Sequence, residues 1–507
     1  MAGTNPSLVL GIDFGTTNTA ACFFDRQGKL RLVPVREKVF TLPSVVWFRS
    51  ADKAVVGHAA RMQIIDDPRN TVHGSKRFLG RRFQSEFVAR HKDRFAYQLT
   101  EGADGLAAVE IYGQILPLAD VVAHVLRTIL DHANHVAGER FRECVLTVPT
   151  HAGIRQRDAV RQAAAKVGLR VRALVNEPTA AALYYANLRN PEQQVLVFDL
   201  GGGTFDATLM SVKNRAVQVS ATGGDAFLGG ADFDRAIVDS LMMQFERKEK
   251  MSLRSSNVAM QRLVFATEGA KIALSTQEEV RLRVPCVAER DGQFVDFDFQ
   301  LQRAQVENMV AHLIERTAGA CDEVLERALT SAEYVDELVL VGGQTRMPAI
   351  RRRFQHFKRT STEGEVHPDL AVAIGAAVLG RNLGRGSPGL QDVVPMPISA
   401  LFPGGRTHEV IPTNTPVPAS KRLAIDDLPV WSKPIPIVLL ESVDELSIER
   451  EALGTVNVPP EWRKAQMKGL PALELSVGQD FALTARLISA TGTAINAPIA
   501  EVRPGQG

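Results

Sequence analysis

The stretch that decides the fold is Gly11-Ile-Asp-Phe-Gly-Thr-Thr-Asn-Thr19, whose plan returns in Phe198-Asp-Leu-Gly-Gly-Gly-Thr-Phe-Asp206. In both, an Asp-hydrophobe-Gly sequence follows a short apolar run and leads into small residues that carry hydroxyls. Glycines let backbone N–H groups approach phosphate oxygens, and an Asp at a strand end can face the cation that neutralises them. One such turn is usually only structural, but two copies predict a pair of hairpins that clasp one nucleotide.

Strand and helix patterns alternate on either side of these hairpins. Short apolar runs that end at Gly, Pro or Asp predict buried strands at residues 8–10, 145–148, 195–198 and 338–341. Val160, Ala163 and Val167 recur at helical spacing before Gly168, a residue that commonly ends a helix. We therefore expect an α/β domain over residues 1–385.

A change in composition marks a second domain. The breaker cluster Gly384-Arg-Gly-Ser-Pro-Gly389 predicts a linker over residues 386–397, and proline is frequent beyond it. We expect residues 398–507 to form a small all-β module. Its clearest strand patterns lie at residues 435–440 and 481–488. The cluster also matches the dinucleotide fingerprint, but Pro388 and the turn-rich sequence that follows exclude such a site.

The composition excludes several classes of protein. The 59 Lys and Arg residues nearly balance 57 Asp and Glu residues, so the broad basic field that binds nucleic acid is lacking. Four cysteines without a Cys-x-x-Cys pair indicate neither a disulfide framework nor a thiolate metal site. A basic leader is lacking, as is an apolar run of the roughly 18 residues that a membrane span needs. We expect a cytoplasmic protein without nucleic-acid or membrane partners.

Four motifs occur in order along the chain. They are Ile12-Asp-Phe-Gly-Thr-Thr-Asn18, Asn176-Glu-Pro-Thr-Ala-Ala-Ala-Leu183, Phe198-Asp-Leu-Gly-Gly-Gly-Thr-Phe-Asp206 and Leu340-Val-Gly-Gly-Gln-Thr-Arg-Met-Pro348. With them the chain resembles the 70-kDa heat-shock-protein chaperones, the DnaK-type family. Ile411-Pro-Thr-Asn-Thr-Pro416 and Leu473-Glu-Leu-Ser-Val-Gly478 resemble, more loosely, that family's peptide-binding β-sandwich.

The resemblance implies an actin-like, two-lobed ATPase domain, which is a duplicated ribonuclease-H-like fold, followed by a small all-β sandwich. It implies slow hydrolysis of ATP to ADP with Mg²⁺, coupled to binding of extended or unfolded polypeptide. A J-domain co-chaperone and a nucleotide exchange factor are the further partners that it implies. The alternative is a nucleotide-gated regulatory or interaction protein of the same ATPase superfamily with little refolding activity. A sugar kinase or a filament protein is disfavoured by the Asn176-Glu-Pro-Thr179 motif and the β module.

The resemblance also implies roles for residues on the motifs. The catalytic residues would be Lys76, Glu177, Asp199 and Thr204, and Asp13 and Asp199 would hold the waters of Mg²⁺. Phosphates would lie on Gly15, Thr16, Thr17, Gly201, Gly202, Gly203 and Thr204. Adenosine would lie on Gly229, Gly230, Glu268, Lys271, Ser275, Gly342, Gly343, Arg346 and Asp369. Pro149 and Arg157 would relay nucleotide state to the β module, in which Phe402 is either a peptide-pocket residue or plain core.

Plainer alternatives stay open for several residues. A lone Lys76 is also the pattern of a solvated lysine, and Glu177 that of a carboxylate stabilising a helix start. Glu268 and Lys271 have the spacing of a surface pair on a helix. His151 follows a predicted strand, and we expect a structural role because no nucleophile stands beside it.

The chain departs from the family pattern at four places. Ile272 stands where the family usually has an arginine that stacks on adenine, so weaker nucleotide binding is expected. Ala173 replaces an arginine that receives J-domain partners, although Arg172 is adjacent. Pro395 interrupts the aliphatic linker, which predicts limited docking of the linker. The sequence stops about where the sandwich should, so no helical lid is expected.

Overall fold

The two repeated stretches fold as two β-hairpins, each in its own mixed sheet. The structure is a computed structural model, and it describes residues 8–189, 192–214, 216–361, 367–383, 389–425, 434–442, 450–460, 471–489 and 491–500. Within these ranges no helix is both long and apolar enough to cross a bilayer.

The first half is built around a sheet with the order β12-β11-β1-β2-β3, in which β4 also pairs with β2. The strands of this half, in that sheet and in two smaller ones, are β1 (Val9–Phe14), β2 (Asn18–Phe24), β3 (Leu30–Leu32), β4 (Thr41–Pro43), β5 (Val45–Ser50), β6 (Lys53–Val56), β7 (Thr71–His73), β8 (Gln98–Glu101), β9 (Ala107–Ile111), β10 (Gln114–Pro117), β11 (Glu143–Val148) and β12 (Arg170–Asn176). Its helices are α1 (His58–Asp66), α2 (Glu86–His91), α3 (Leu118–Ala137), α4 (Ile154–Lys166) and α5 (Glu177–Arg189), with 3-10 turns at Pro68–Asn70, Ser75–Arg77 and Lys92–Arg94. Strand β1 runs parallel to β11 and antiparallel to β2, so the hairpin lies in the middle of the sheet.

The second half repeats this plan with the strand order β18-β13-β14-β15-β19. Its strands are β13 (Gln193–Leu200), β14 (Phe205–Lys213), β15 (Ala216–Asp225), β16 (Glu279–Arg290), β17 (Gln293–Gln302), β18 (Glu337–Val341) and β19 (Leu390–Gln391). Its helices are α6 (Gly230–Glu249), α7 (Asn257–Ala273), α8 (Arg303–Met309), α9 (Ala311–Arg327), α10 (Pro348–Arg353) and α11 (Ala371–Asn382), with 3-10 turns at Ala332–Tyr334 and Gly343–Arg346. Strand β13 is parallel to β18 and antiparallel to β14, which matches β1 in the first half.

Two helices cross where the halves meet. Helix α11 packs on β1 and on α5, and the contact is so close that only glycine fits at two points. A Cβ at Gly375 would overlap the Ala180 carbonyl oxygen, and one at Gly11 would overlap the backbone of Ala377. Small residues therefore bring the backbones of the two halves into direct contact.

The C-terminal strands form two facing four-stranded sheets, β21-β20-β23-β24 and β22-β25-β26-β27. The strands are β20 (Ile398–Leu401), β21 (Thr407–Ile411), β22 (Ala419–Ala424), β23 (Ile435–Ser442), β24 (Arg450–Val458), β25 (Ala472–Val477), β26 (Leu483–Ile488) and β27 (Ala494–Ala497). Alternate residues along β23, such as Ile435, Ile437 and Leu439, are buried in one shared core. This alternation is typical of a sandwich.

The linker differs from the expectation. Its residues 386–388 lie outside the described part, and the domain bounds at 385 and 398 stay predictions. The expectation that Pro395 limits docking of the linker is wrong, because linker strand β19 pairs in parallel with β15 of the α/β domain. Val393 is buried in the core around α5, and Val394 is buried in the sandwich core. Pro395 comes after these residues, so its missing N–H does not affect the pairing.

Candidate functional site

The two hairpins meet face to face between the halves. A Cβ on Gly202 would overlap the Thr17 hydroxyl, and a Cβ on Gly203 would lie 2.5 Å from Thr16 Cγ2. The start of α6 holds the second hairpin, because the N–H of Gly230 donates to the Gly201 carbonyl at 2.9 Å. Backbone N–H groups and hydroxyls of both hairpins therefore border one space.

That space is a cavity of about 910 Å³ between the two halves. Most residues expected from the sequence line it: Asp13, Gly15, Thr16, Thr17, Glu177, Asp199, Gly201, Gly202, Gly203, Thr204, Gly230, Glu268, Lys271, Ser275, Gly342, Gly343, Arg346 and Asp369. Gly229 lies just outside the lining, where it approaches the backbone of Gly203. Lys76 borders an adjacent cavity of about 20 Å³. The motifs are far apart in sequence, yet they meet around one cavity.

Lys76 and Glu177 form a buried ion pair beside the cavity. Lys76 is 2 % exposed, which excludes the alternative of a solvated lysine. Burial raises the pKa of Glu177 to about 7, and the Lys76 ammonium opposes that rise. A cation and a carboxyl that titrates near neutrality are thus placed next to the hairpins, an arrangement common at reactive sites.

Two further carboxylates lie at the ends of β1 and β13. Thr147 Oγ1 donates to Asp13 Oδ1 at 3.0 Å. Burial raises the pKa of Asp13, and burial together with nearby carboxylates raises that of Asp199 well above its usual range. A cation near these two side chains would offset the cost of their negative charge.

The opposite end of the cavity is formed mainly by α7 and by the turn after β18. Lys271 Nζ lies 3.0 Å from Asp234 and donates to the Gly230 carbonyl at 2.8 Å, so it does not form the surface pair with Glu268. Glu268 is instead paired with Arg61 across the two halves at 2.6 Å. Ile272 lines the cavity with 59 % of its surface exposed.

Arg346 lies on the other wall of this end. Its Nη1 donates to Asp369 at 2.8 Å, which holds the guanidinium at the edge of the cavity. The aliphatic face of Ile272 and the cation of Arg346 therefore border the same end.

Arg157 joins the first half to the sandwich. It is buried, its Nη2 donates to Asn176 Oδ1 at 2.8 Å, and its guanidinium lies 4.0 Å from the Phe481 ring centre. Close by, the N–H of Ile154 at the start of α4 donates to Glu441 of the sandwich at 2.9 Å. Pro149 lies on the smaller cavity beside Lys76. Arg157 thus connects Asn176, the neighbour of Glu177, to the sandwich.

Other expected residues lie apart from the cavity. Phe402 is 8 % exposed and packs edge-on against His408 in the sandwich core, as its plainer alternative supposes. Ala173 lies opposite Val145 on β12. Arg172 beside it donates to Glu143 at 2.8 Å.

Several residues of the site were missed by the sequence reasoning. Asp206 is an acid in the second repeated stretch that has no counterpart in the first. That difference between the two stretches could have singled it out. Arg61 and Glu441 occupy no motif, so no sequence signal points to them. Asp392 accepts from Asn176 Nδ2 at 3.0 Å, a contact that no spacing indicates.

The geometry agrees with comparisons to known proteins. The family model described as "Hsp70 protein" matches residues 9–476. "Heat shock 70 kDa protein, mitochondrial" of Pisum sativum is 36% identical over 479 residues, covering 93% of this chain and 70% of the relative. The protein of the same name from Solanum tuberosum is 35% identical over 458 residues, with 89% and 67% covered. "Chaperone protein DnaK" of Psychrobacter cryohalolentis is 33% identical over 478 residues, with 92% and 73% covered.

The chain belongs to the Hsp70 family. Its fold class is therefore a two-lobed, actin-like ATPase domain followed by a β domain, as the sequence predicted. Hsp70 proteins are ATP-dependent chaperones, so ATP hydrolysis and nucleotide binding in this chain are confirmed predictions. Binding of unfolded polypeptide is likewise a property of the family.

Proposed function

We propose that this Hsp70 protein hydrolyses Mg-ATP in the cavity between the two halves, with Lys76, Glu177, Asp199 and Thr204 as the catalytic residues. The buried Lys76–Glu177 pair carries the proposal, because it places a charge-neutralising cation beside the hydroxyl-rich hairpins. Phosphoryl transfer depends mainly on positioning and on electrostatic stabilisation of this kind.

The residues present fit a magnesium ion. Asp199 is buried and Asp13 partly buried, both carboxyls have raised pKa values, and Mg²⁺ prefers such hard oxygen ligands. We propose that they hold it through water. The ion, when bound, neutralises charge on the phosphates. Thr147 keeps Asp13 oriented by its hydrogen bond, whether or not the ion is present.

The hairpin backbone, Lys76 and Glu177 have further proposed roles in phosphate binding and hydrolysis. Backbone N–H groups of Thr16 and Thr17, with those of Gly202 and Gly203, bind the phosphates beside the turns at Gly15 and Gly201. Lys76 stabilises the charge that develops on the transferred group. Glu177 orients the attacking water and can accept its proton, since its pKa of about 7 lies near working pH.

The adenosine is proposed to lie between α7 and the turn after β18. The residues offered to it are Gly229, Gly230, Glu268, Lys271, Ser275, Gly342, Gly343, Arg346 and Asp369. Lys271 is already fixed by Asp234 and by the Gly230 carbonyl, so its stem and the turn at Gly230 present one rigid wall. The Arg346 guanidinium offers a flat cation to one face of the base.

Coupling to polypeptide binding is proposed to pass through Pro149 and Arg157. Arg157 reaches Asn176, the neighbour of Glu177, and also the Phe481 ring of the sandwich. A movement of the sandwich would therefore change the surroundings of the catalytic glutamate. Phe402 stays the proposed pocket residue, although its side chain faces the core.

Further partners and the compartment are proposed from the family. A J-domain co-chaperone and a nucleotide exchange factor are expected, with J-domain coupling weakened because Arg172 is engaged by Glu143 and Ala173 carries no charge. A reducing compartment such as the cytoplasm suits four cysteines that are all free. Cell fractionation tests the compartment.

The proposal is tested by steady-state ATP hydrolysis of the full chain. Lys76→Ala and Asp199→Ala should each lower kcat by roughly 10²–10⁴-fold, the range for lost positioning and proton-transfer groups. Lys358→Ala, at an exposed ion pair far from the cavity, is the matched control and should keep kcat. Wild-type turnover in both site variants would refute the assignment. Stimulation of turnover by an unfolded peptide distinguishes a coupled chaperone from a purely nucleotide-gated interaction protein.

A further inference from the structure

One buried titratable side chain beside the cavity has no part in the proposed mechanism. His151 follows β11 of the first half, two residues after Pro149, and is 4 % exposed. Its ring does not lie in the core of that half. It instead reaches β14 of the second half.

The contact is a hydrogen bond between the two halves. His151 Nδ1 lies 3.0 Å from Asp206 Oδ1, and the backbone N–H of Thr150 donates to the same oxygen at 3.0 Å. Because this carboxylate oxygen is an acceptor, Nδ1 carries the proton. Both donors belong to the first half and the acceptor to the second, so the bond fixes one half against the other.

The surroundings leave space for the ring and hold its segment in place. Gly224 lies opposite Asp206 in the sheet, and a Cβ there would lie 2.9 Å from His151 Cε1. Arg157 donates to the Ala152 carbonyl at 2.9 Å, which fixes the chain on the other side of the histidine. Gly224 thus leaves space for the imidazole, and Arg157 fixes the backbone that follows it.

Asp206 is tied to the catalytic hairpin in two ways. It lies two residues after Thr204 and directly opposite Asp199 in the β13–β14 pairing. His151, Thr204 and Lys76 also border the same cavity of about 20 Å³, which has room for about one water. A shift of Asp206 would therefore move the hydroxyl of Thr204 relative to Lys76.

We propose that His151 is a positioning residue for ATP hydrolysis, whose Nδ1–H bond to Asp206 holds the second hairpin in register with Lys76 across the two halves. The inference rests on the catalytic roles proposed for Lys76 and Thr204 and deepens them. It assigns no proton transfer to the imidazole.

The test compares two substitutions at His151 in the full chain. His151→Phe keeps a ring without the donor and should lower kcat about tenfold with little change in the KM for ATP, as expected for loss of a hydrogen bond to a charged group. His151→Asn places an amide N–H near the position of Nδ1 and should restore most of the loss. Equal losses in the two variants, or wild-type kcat in His151→Phe, would overturn the proposal.

Asp206→Ala gives an independent measurement from the other half. It should lower kcat at least as much, because it also removes the acceptor of the Thr150 N–H, and adding His151→Phe to it should cause no further loss. Additive losses would overturn the proposal. If His151→Phe does not fold, the same cycle is measured with His151→Ala, which also removes the donor, and additive losses again refute the proposal.

Two controls separate this inference from its premise. His124→Phe changes an exposed histidine that packs on Phe48 away from the cavity, and it should keep kcat. Lys76→Ala is measured alongside. If it leaves kcat unchanged, the proposed catalytic set fails, whereas loss in Lys76→Ala without loss in His151→Phe refutes only the role of His151.

Discussion

The two hairpins of the ATPase domain have similar backbone conformations but differ in their acidic residues. Gly15 N–H donates to the Asn18 carbonyl at 3.0 Å, and Gly201 N–H donates to the Thr204 carbonyl at 3.2 Å, so both loops close in the same way. Asp13, however, lies opposite Ala20, whereas Asp199 lies opposite Asp206. The two halves therefore share the turn that we propose binds phosphate, while a single cross-strand position makes the second hairpin more acidic.

The helices that start at the cavity diverge in a similar way. Helix α5 begins at Glu177, which pairs with Lys76, and α11 begins just after Asp369, which pairs with Arg346. The first helix thus presents its acid toward the hairpins, and the second toward the other end of the cavity. Acids at the starts of two helices thus face opposite ends of the cavity.

The largest effect is expected where the two helices touch. Gly375→Ala would drive a Cβ into the Ala180 carbonyl oxygen, and neither backbone can move aside without separating the halves. We expect the free energy of unfolding of the ATPase domain to fall by about 3 kcal/mol, the upper end for overpacking. Urea unfolding followed by circular dichroism measures it.

The matched control for this change is Gly319→Ala in α9, where the space around the new Cβ is open. That variant should be stabilised by about 0.4–1 kcal/mol, because alanine loses less entropy in a helix. Equal effects of the two substitutions would show that the halves do not depend on the close crossing.

An intermediate effect is expected at the second half's end of the cavity. Ile272→Arg would place a guanidinium across from Arg346, and a cation–π contact of about 1 kcal/mol should tighten nucleotide binding by up to roughly tenfold. Calorimetric titration with ADP measures the change. Ile272→Met, which adds length without charge, is the control, and equal affinity in both variants would contradict the stacking argument.

The smallest effect is expected at the first half's contact with the sandwich. Burial raises the pKa of Glu441 to about 7; Arg157 and Arg81 lower it and Glu451 raises it. When the sandwich is separated from α4, the Glu441 carboxyl titrates near its ordinary pKa, which is lower. Between the undocked and the docked pKa, the docked form therefore binds more protons than the undocked form. Docking should therefore weaken as pH rises from about 5 to 7 and change little above that range.

Small-angle scattering at several pH values follows this separation through the radius of gyration. Glu441→Gln keeps an acceptor for the Ile154 N–H but cannot ionise, so its docking should not respond to pH in this range. A Glu441→Gln variant with the wild-type pH response would assign the titration to another group.

Local sequence determined much of the fold. The strands around Val145, Val195 and Leu338 and the helix that ends before Gly168 are present, because apolar periodicity and turn residues act over a few positions. The site residues on motifs also meet in the cavity. Arg61 and Glu441 could not be found in this way, because their partners lie 207 and 287 positions away. Only the packing of the two halves and of the sandwich brings these residues together.

The expectation for Pro395 failed for a physical reason. A proline lacks one donor at one position, and the pairing of β19 with β15 ends before that position is reached. Asp392 then turns inward to Asn176 and Thr179, a polar contact that no count of aliphatic residues reveals.

The burial of Val393 and Val394 in different cores has a mechanical consequence. These consecutive residues have side chains buried in the ATPase domain and in the sandwich respectively, so no flexible residue lies between the two anchored positions. Separating the domains requires that at least one valine leave its core, at a cost of about 1.5–3 kcal/mol. The sandwich therefore cannot drift gradually away from its partner; it detaches in a discrete step with a threshold.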